Sequence, residues 1–317
     1  MLTRVELRQS VEELQQEGKS VLIKLSGSAE PSSYDVVIGA DGIGSRIRGL
    51  IFCKEVNESC FRNTDTYAAY FSMDIDPKER LSMSKIQHGA NGRTIWLRPI
   101  NKEGTRASCY FLTTATAADA TDYSDRLQQA AESGSTQQQI ATLTDMYAGL
   151  RGLGPQAVTG MQHSTDFYFS RITQVNLPTW SVGRCALVGD AAYCPSPLSG
   201  GQGTPAALVG SYILAGELAR HPDHPQAAFA AYEKIFRAAV EEWSVIPLGG
   251  KAPRFIAPQS ELGVKAVRAA FWAASRPMVQ QLFASLPSVP GVGGNRKGQI
   301  ELPDYDFRAS TAVGDIA

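Results

Sequence analysis

Apolar and polar positions divide this chain into segments of two periods. Over residues 3 to 18, Val5, Leu7, Val11 and Leu14 recur at helical spacing and the run ends at Gly18, so the pattern predicts a helix with a glycine C-cap. Val21 to Leu25 reads as a short strand and Ser26 to Ser33 as a turn. Asp35-Val36-Val37-Ile38-Gly39-Ala40 then reads as a buried strand running into glycines. The middle of the chain is β-rich, with strands predicted at Tyr67 to Met73, Thr94 to Ile100 and Arg106 to Thr113. The last two flank Asn101-Lys102-Glu103-Gly104-Thr105 and form an antiparallel hairpin. A helix follows over Gln137 to Leu150. Cys185 to Ala192 is a second short buried strand, ending in Gly189-Asp190. A Pro/Gly-rich loop runs from Cys194 to Gly203, and helices are predicted at Thr204 to Leu218, Gln226 to Trp243 and Glu261 to Ala274. The tail after Pro287 reads as loop or frayed end. The mixture is α/β, with a β-rich block inserted between two strand-turn units.

Composition narrows the possibilities. Thirty basic residues against 31 acidic ones leave a net charge of -1, which removes the electrostatic case for nucleic acid or an anionic membrane. The longest largely apolar stretch, Ala206 to Leu214, falls far short of the ~20 residues a membrane helix needs. Five cysteines, without a C-x-x-C pair, argue against a disulfide framework or a zinc site and fit a reducing compartment. With no apolar signal region at the N-terminus, a soluble cytoplasmic protein is expected. His221-Pro-Asp-His224 reads as a solvated loop and not as a metal pair, so no metal site is expected.

Two segments could carry chemistry. The glycine loop Gly200-Gly201-Gln202-Gly203 opens a helix, where glycines allow close approach to the backbone and the helix end offers unpaired N–H donors. Asp190, at the end of the preceding strand, suits the hydroxyls of a sugar or polyol. A tight strand-to-helix turn with Asp190 as a cap accounts for the same residues, and spacing leaves both readings open. Gly39-Ala40-Asp41-Gly42-Ile43-Gly44-Ser45-Arg46-Ile47-Arg48 is the other segment. Its plain reading is a strand, an Asp-Gly turn and a short basic helix opened by Ser45.

In this order, the two segments resemble those of the flavoprotein monooxygenases of the aromatic-hydroxylase, para-hydroxybenzoate hydroxylase-like type. Gly39 to Arg48 is similar to the family's G-A-D-G-x-x-S-x-x-R motif, and Gly183 to Ala192 to its G-R-x-A-L-V-G-D-A-A motif. Pro197, Gly201-Gln202-Gly203 and Ala206 to Gly210 are similar to its flavin loop and following helix, and Arg4-Val5-Glu6-Leu7 to its R-x-x-L stretch. The resemblance implies an FAD-binding, Rossmann-like fold of the glutathione-reductase type. It is expected to be discontinuous over residues 1–66 and 160–245, with a β-rich substrate domain at 67–159 and C-terminal helices and tail at 246–317. It also implies FAD as cofactor, NAD(P)H as co-substrate, and transfer of one oxygen atom from O2 to an aromatic or other hydrophobic small molecule, in secondary metabolism or aromatic catabolism. Asp190 would accept from the ribityl chain, while Gly201, Gly203 and Thr204 would lie against the flavin at a helix N-terminus. Arg4 would lie near the phosphates, and Asp41 near the pyrophosphate and the nicotinamide path, with Arg46 or Arg48 beside it. Trp96, Tyr110 and Phe111 would help to form a dry substrate pocket. No residue is singled out as a catalytic acid or base.

The sequence departs from the family pattern in three places. Tyr193 stands where His often follows G-D-A-A, and the loop from Pro197 to Gly201 is one residue longer than expected. The opening G-x-G-x-x-G unit that grips the ADP half of FAD is missing before Arg4, so an N-terminally truncated FAD domain is expected. That departure supports the alternative reading, a remnant without FAD that acts as a non-redox cyclase or isomerase, or as a binding or scaffold protein.

Overall fold

The computed structural model describes residues 7, 9–115, 122–250, 253–254, 257–276 and 300–307. The chain divides into two compact units, one formed by residues 1–62, 173–246 and 296–317, the other by 63–172 and 247–295. Strands and helices mix in both, so the fold is α/β. Among the described residues no helix is long and apolar enough to cross a membrane.

The first unit opens with a three-stranded antiparallel sheet of β1 (Val11–Glu17), β2 (Ser20–Leu25) and β3 (Ser32–Tyr34), in that order. The described part of the segment expected to be helical is therefore a strand. Gly18, at φ 56°, turns the chain between the paired residues Glu17 and Ser20, a two-residue hairpin loop that needs a left-handed backbone. A bulge sets Val11 opposite Leu25 and Glu13 opposite Lys24, leaving Glu12 as the extra residue. It carries Val11 and Leu14 to the core side although they are three apart, which mimics a helical spacing.

In the same unit, β4 (Val37–Gly39) and β11 (Cys185–Leu187) run parallel, and β10 (Ser181–Val182) joins β11 antiparallel. Helix α1 (Arg46–Ile51) and helix α2 (Lys54–Ser59) follow β4, while α6 (Gly203–Arg220) and α7 (Pro225–Trp243) follow β11. Pro225 opens α7 at the position where a missing N–H costs nothing. On α6, Ala206, Gly210, Ile213, Leu214 and Glu217 form a buried stripe at helical spacing. Beneath it lie the rings of Trp180, Tyr193, Tyr232 and Phe236, with Trp180 and Tyr193 centroids 4.5 Å apart. The described tail, residues 300–307, has no regular structure, yet it does not fray. Tyr305 is buried, and its hydroxyl donates to Glu217 Oε1 at 2.8 Å.

The second unit is built on a sheet ordered β9 (Tyr168–Asn176), β5 (Phe61–Asp74), β8 (Arg106–Thr114), β7 (Arg93–Pro99) and β6 (Lys85–Gly89). Asn101 Oδ1 accepts from the backbone N–H of Thr105 and Arg106, closing the expected β7–β8 hairpin. Helices α3 (Tyr123–Glu132), α4 (Thr136–Ala148) and α5 (Leu153–His163) cover one face, where Phe111 stacks on Tyr147 at 4.1 Å. Helix α8 (Glu261–Ala274) is capped by Ser260, whose hydroxyl accepts from Gly263 N.

Candidate active site

The strands of the two motifs are neighbours. Val37, Ile38 and Gly39 pair with Cys185, Ala186 and Leu187, and Val188 N donates to Gly39 O at 2.9 Å. Both strands are apolar along their whole length, as suits a buried parallel pair. Gly39 is required there, because a side chain would come within 2.6 Å of Leu187 Cδ2 and 2.9 Å of Ile47 Cβ. The parallel pairing brings the two motifs to the same carboxyl edge of the sheet, where open α/β sheets hold ligands.

A cavity of about 570 Å³ opens at that edge. Ala40 and Gly42 line it from the first motif, Val188, Gly189 and Asp190 from the second, and Gly201, Gly203 and Thr204 from the glycine loop. The remaining wall is Cys194, Pro195 and Pro197 with Ala207, Leu208 and Ser211. Thr204, Ala207, Leu208 and Ser211 fall at i, i+3, i+4 and i+7, on the other side of α6 from its buried stripe. Of these four only Thr204 was singled out as a site residue in the sequence, although the helical spacing marks the other three.

Gly189 turns the chain at φ 64°, and α6 packs close enough that a side chain there would reach Ala207 Cβ at 3.4 Å. This turn presents Asp190, an exposed residue, to the cavity. Partial burial of the carboxyl group raises its pKa from the ordinary aspartate value, opposed by a hydrogen bond from the Cys194 thiol. Burial likewise pushes Cys194 up to about 12, so this thiol stays protonated at neutral pH. Opposite Asp190, Gly200 and Gly201 take φ values of 98° and 74°, and nothing lies within 4 Å of the side chain Gly201 lacks. A Cβ on Gly203 would sit 4.0 Å from Asp190 Oδ1. No side chain caps α6 at Gln202, and Pro205 has no N–H to offer. The amides of Gly203 and Thr204 thus form the uncapped positive end of an 18-residue helix, directly across from a carboxylate. Such a site suits a group that carries hydroxyl donors on one side and an anionic or acceptor edge on the other. A flavin with its polyol chain has that donor and acceptor pattern, so these residues fit it.

Asp41 is placed differently. Its carboxylate accepts from Ser45 Oγ at 2.6 Å, Arg46 N at 2.7 Å and Ile47 N at 3.1 Å, closing the first turn of α1. Arg48, read from the sequence as a neighbour of Asp41, is 1% exposed. It donates to Ala191 O, Ile43 O and Asn57 Oδ1, so it ties the first motif to the second. Arg46 is exposed. Arg4 lies outside the described residues. Tyr193 points into the core, its hydroxyl 2.8 Å from that of Tyr232, and the lack of a side chain at Gly210 makes room for it.

Within the second unit, Trp96 and Tyr110 lie side by side at 5.0 Å, whereas Phe111 faces the helices and belongs to the core. A separate cleft of about 650 Å³ is lined by Ser72, Asp74 and Arg106 with Thr159, His163 and Asp166. Asp166 accepts from Ser72 N, Ser72 Oγ and Ser164 Oγ, and these bonds hold its pKa down to about 2. Nothing in the sequence pattern marked this cleft.

No family model matches the chain. Among curated proteins, Monooxygenase CTB7 of Cercospora beticola is 42% identical over 299 residues, which cover 94% of this chain and 68% of that protein. The FAD-dependent monooxygenase asL6 of Sarocladium schorii is 30% identical, over 91% of this chain and 64% of its own length. The chain therefore spans about two thirds of these relatives. Among solved structures, tetracycline destructase Tet(55) is similar with a TM-score of 0.67 at 28% identity, over 94% of this chain and 69% of that one.

Proposed function

The chain belongs to the flavin-dependent monooxygenases, and from that premise we propose that it binds FAD in the cavity at the carboxyl ends of β4 and β11 and oxygenates a hydrophobic or aromatic small molecule, using NAD(P)H and O2. The observation that carries this reading is the opposition of the Asp190 carboxylate to the uncapped N-terminus of α6. Asp190 accepts hydrogen bonds from the polyol chain. The amides of Gly203 and Thr204 would hold an electron-rich edge of the bound ring, since the helix end favours negative charge. Gly200 to Gly203 let the ring approach the backbone, while Val188, Ala207 and Leu208 keep that side of the site apolar. Cys194 stays a neutral thiol and places no second negative charge beside Asp190. When bound, FAD supplies the redox chemistry by which one atom of O2 enters the substrate and the other leaves as water, with NAD(P)H as electron donor.

The test is to supply the FAD-loaded chain with NAD(P)H, isotopically labelled O2 and a panel of phenolic and polyketide-like compounds. Mass spectrometry should find one labelled oxygen atom in at least one organic product. Flavin retention and NAD(P)H oxidation without label in any product would overturn the oxygenase reading.

A further inference from the structure

Tyr193 stands where the family pattern often has His, and it is buried, with 1% of its surface exposed. Its backbone pairs with that of Asn176, so the side chain starts from a fixed base. The ring enters a cluster of Trp180, Tyr232 and Phe236. There its hydroxyl meets groups from three elements. The Tyr232 hydroxyl, from α7, lies 2.8 Å away and donates to Leu187 O, at the end of β11, at 3.2 Å. Burial pushes the Tyr193 phenol up to about 12, opposed by its contacts with Tyr232 and with the Gly189 backbone, so it stays neutral at ordinary pH. On α6, Gly210 passes so closely that a Cβ there would fall 1.8 Å from the Tyr193 hydroxyl oxygen.

These contacts bracket one short piece of chain. Gly189 to Ala191 form a single 3-10 turn, closed by Ala192 N donating to Gly189 O at 2.9 Å, and Asp190 is its middle residue. No side chain caps that turn. Gly189 starts it with a left-handed φ of 64°, and glycine holds no one conformation by itself. Tyr193 follows the turn in sequence, while its hydroxyl reaches back to Gly189 and, through Tyr232, to Leu187. The side chain therefore closes a ring of contacts around Asp190. A polar pair sunk among aromatic rings is satisfied in one arrangement, because a displaced hydroxyl leaves a buried donor or acceptor unpaired. Stability alone does not call for such a pair, since apolar residues of the same shape can fill the space at little cost. What the pair adds is a fixed place for the turn.

We propose that Tyr193 is a positioning residue for the cofactor site, whose hydroxyl, through Tyr232 and Gly189, holds the 189–191 turn so that the Asp190 carboxylate stays across from the N-terminus of α6. Tyr193 does not line the cavity and acts through Asp190, which does. Its contribution to FAD binding rests on the cofactor reading above, whereas its hold on the turn does not require FAD.

The experiment uses the full chain as wild type, Tyr193→Phe, Asp190→Ala and the double variant. Tyr193→Phe removes one oxygen, keeps the ring and leaves Tyr232 its bond to Leu187 O. FAD affinity is read by flavin fluorescence titration, and exchange of the Ala192 amide by 15N NMR of the chain without cofactor. Tyr193→Phe should weaken FAD about three- to tenfold, the range of one neutral hydrogen bond. In the Asp190→Ala background the same change should alter affinity by less than about twofold, because the carboxylate that it places is gone. Exchange at Ala192 should rise in Tyr193→Phe by more than exchange in β1 and β2, which report any general loss of stability. Unchanged FAD affinity, an equal loss in both backgrounds, or exchange at Ala192 that rises no more than in β1 and β2 would overturn the proposal. An equal loss is what a general loosening of the unit would give. A wild type that takes up no FAD loses the flavin assignment, and the exchange measurement then decides by itself whether the phenol holds the turn.

Discussion

Asp190 and the two amides across from it are the smallest set of groups on which the cofactor reading depends. Because this residue is exposed at the cavity, Asp190→Ala should leave the melting temperature nearly unchanged while weakening FAD by about 10- to 100-fold, the range for a charge-assisted hydrogen bond; a flavin fluorescence titration checks this. The raised pKa of Asp190 fixes a sign. The folded chain holds this proton more tightly than the unfolded one, so the stability it contributes is present at low pH and lost as pH rises through the folded pKa. Ligand hydroxyls bond more strongly to the charged form. FAD affinity should therefore fall on acidification through that pKa in the wild type and stay flat in Asp190→Asn. Asp166 has the opposite sign. Its folded pKa of about 2 lies below the unfolded value of about 3.9, so its contribution is present above the unfolded value and lost as pH falls toward 2. Asp166→Asn should lower the urea midpoint modestly at pH 7, since the group is exposed, and much less at pH 2.

At the scale of elements, the β4–β11 pair and α1 act as one piece. Gly39→Ala forces a methyl against Leu187 and Ile47 and should cost about 1–3 kcal/mol, read by denaturant unfolding. Arg48→Met strands the carbonyls of Ala191 and Ile43 and the amide of Asn57, and each unpaired buried group costs about 1–3 kcal/mol. This variant should lose more stability than Gly39→Ala, and the opposite order would contradict the bridging role of Arg48. The two motif strands were legible in the sequence because each is a continuous apolar run ending in glycine. Their parallel pairing was not, since it joins segments far apart in the chain and no local pattern reports it. The same limit hid the bridging role of Arg48, whose partners include Ile43 of the first motif and Ala191 of the second. The first strand was misread because a bulge gave Val11 and Leu14 a helical spacing, and β3 was hidden because all three of its residues are exposed. Tyr110 and Phe111 were grouped as neighbours in sequence, although alternation along β8 sends them to opposite faces. Asp190, Gly201, Gly203 and Thr204 were legible as a group because glycines beside a helix start leave a local signature. Cys194 and the outer face of α6 carried only a weak one.

At the scale of the whole molecule, the tail closes the first unit as a strap. Tyr305 lies over Gly216, Tyr212 donates to Pro303 O, and Arg220 donates to Asp304 O. A side chain at position 216 would overlap the Tyr305 ring, so Gly216→Ala should release residues 300–307 and raise their hydrogen exchange, while Tyr305→Phe removes only the bond to Glu217. Unchanged exchange in Gly216→Ala would show that the strap is held elsewhere. The family assignment, the edge where both motifs end and the donor-acceptor pairing inside the cavity converge on one claim, that this chain holds a flavin. An absorbance spectrum of the purified full chain, mixed with FAD and desalted, tests it most directly. The account predicts a retained flavin band near ~450 nm at about one cofactor per chain, lost on Asp190→Ala. A folded chain that emerges colourless would contradict it.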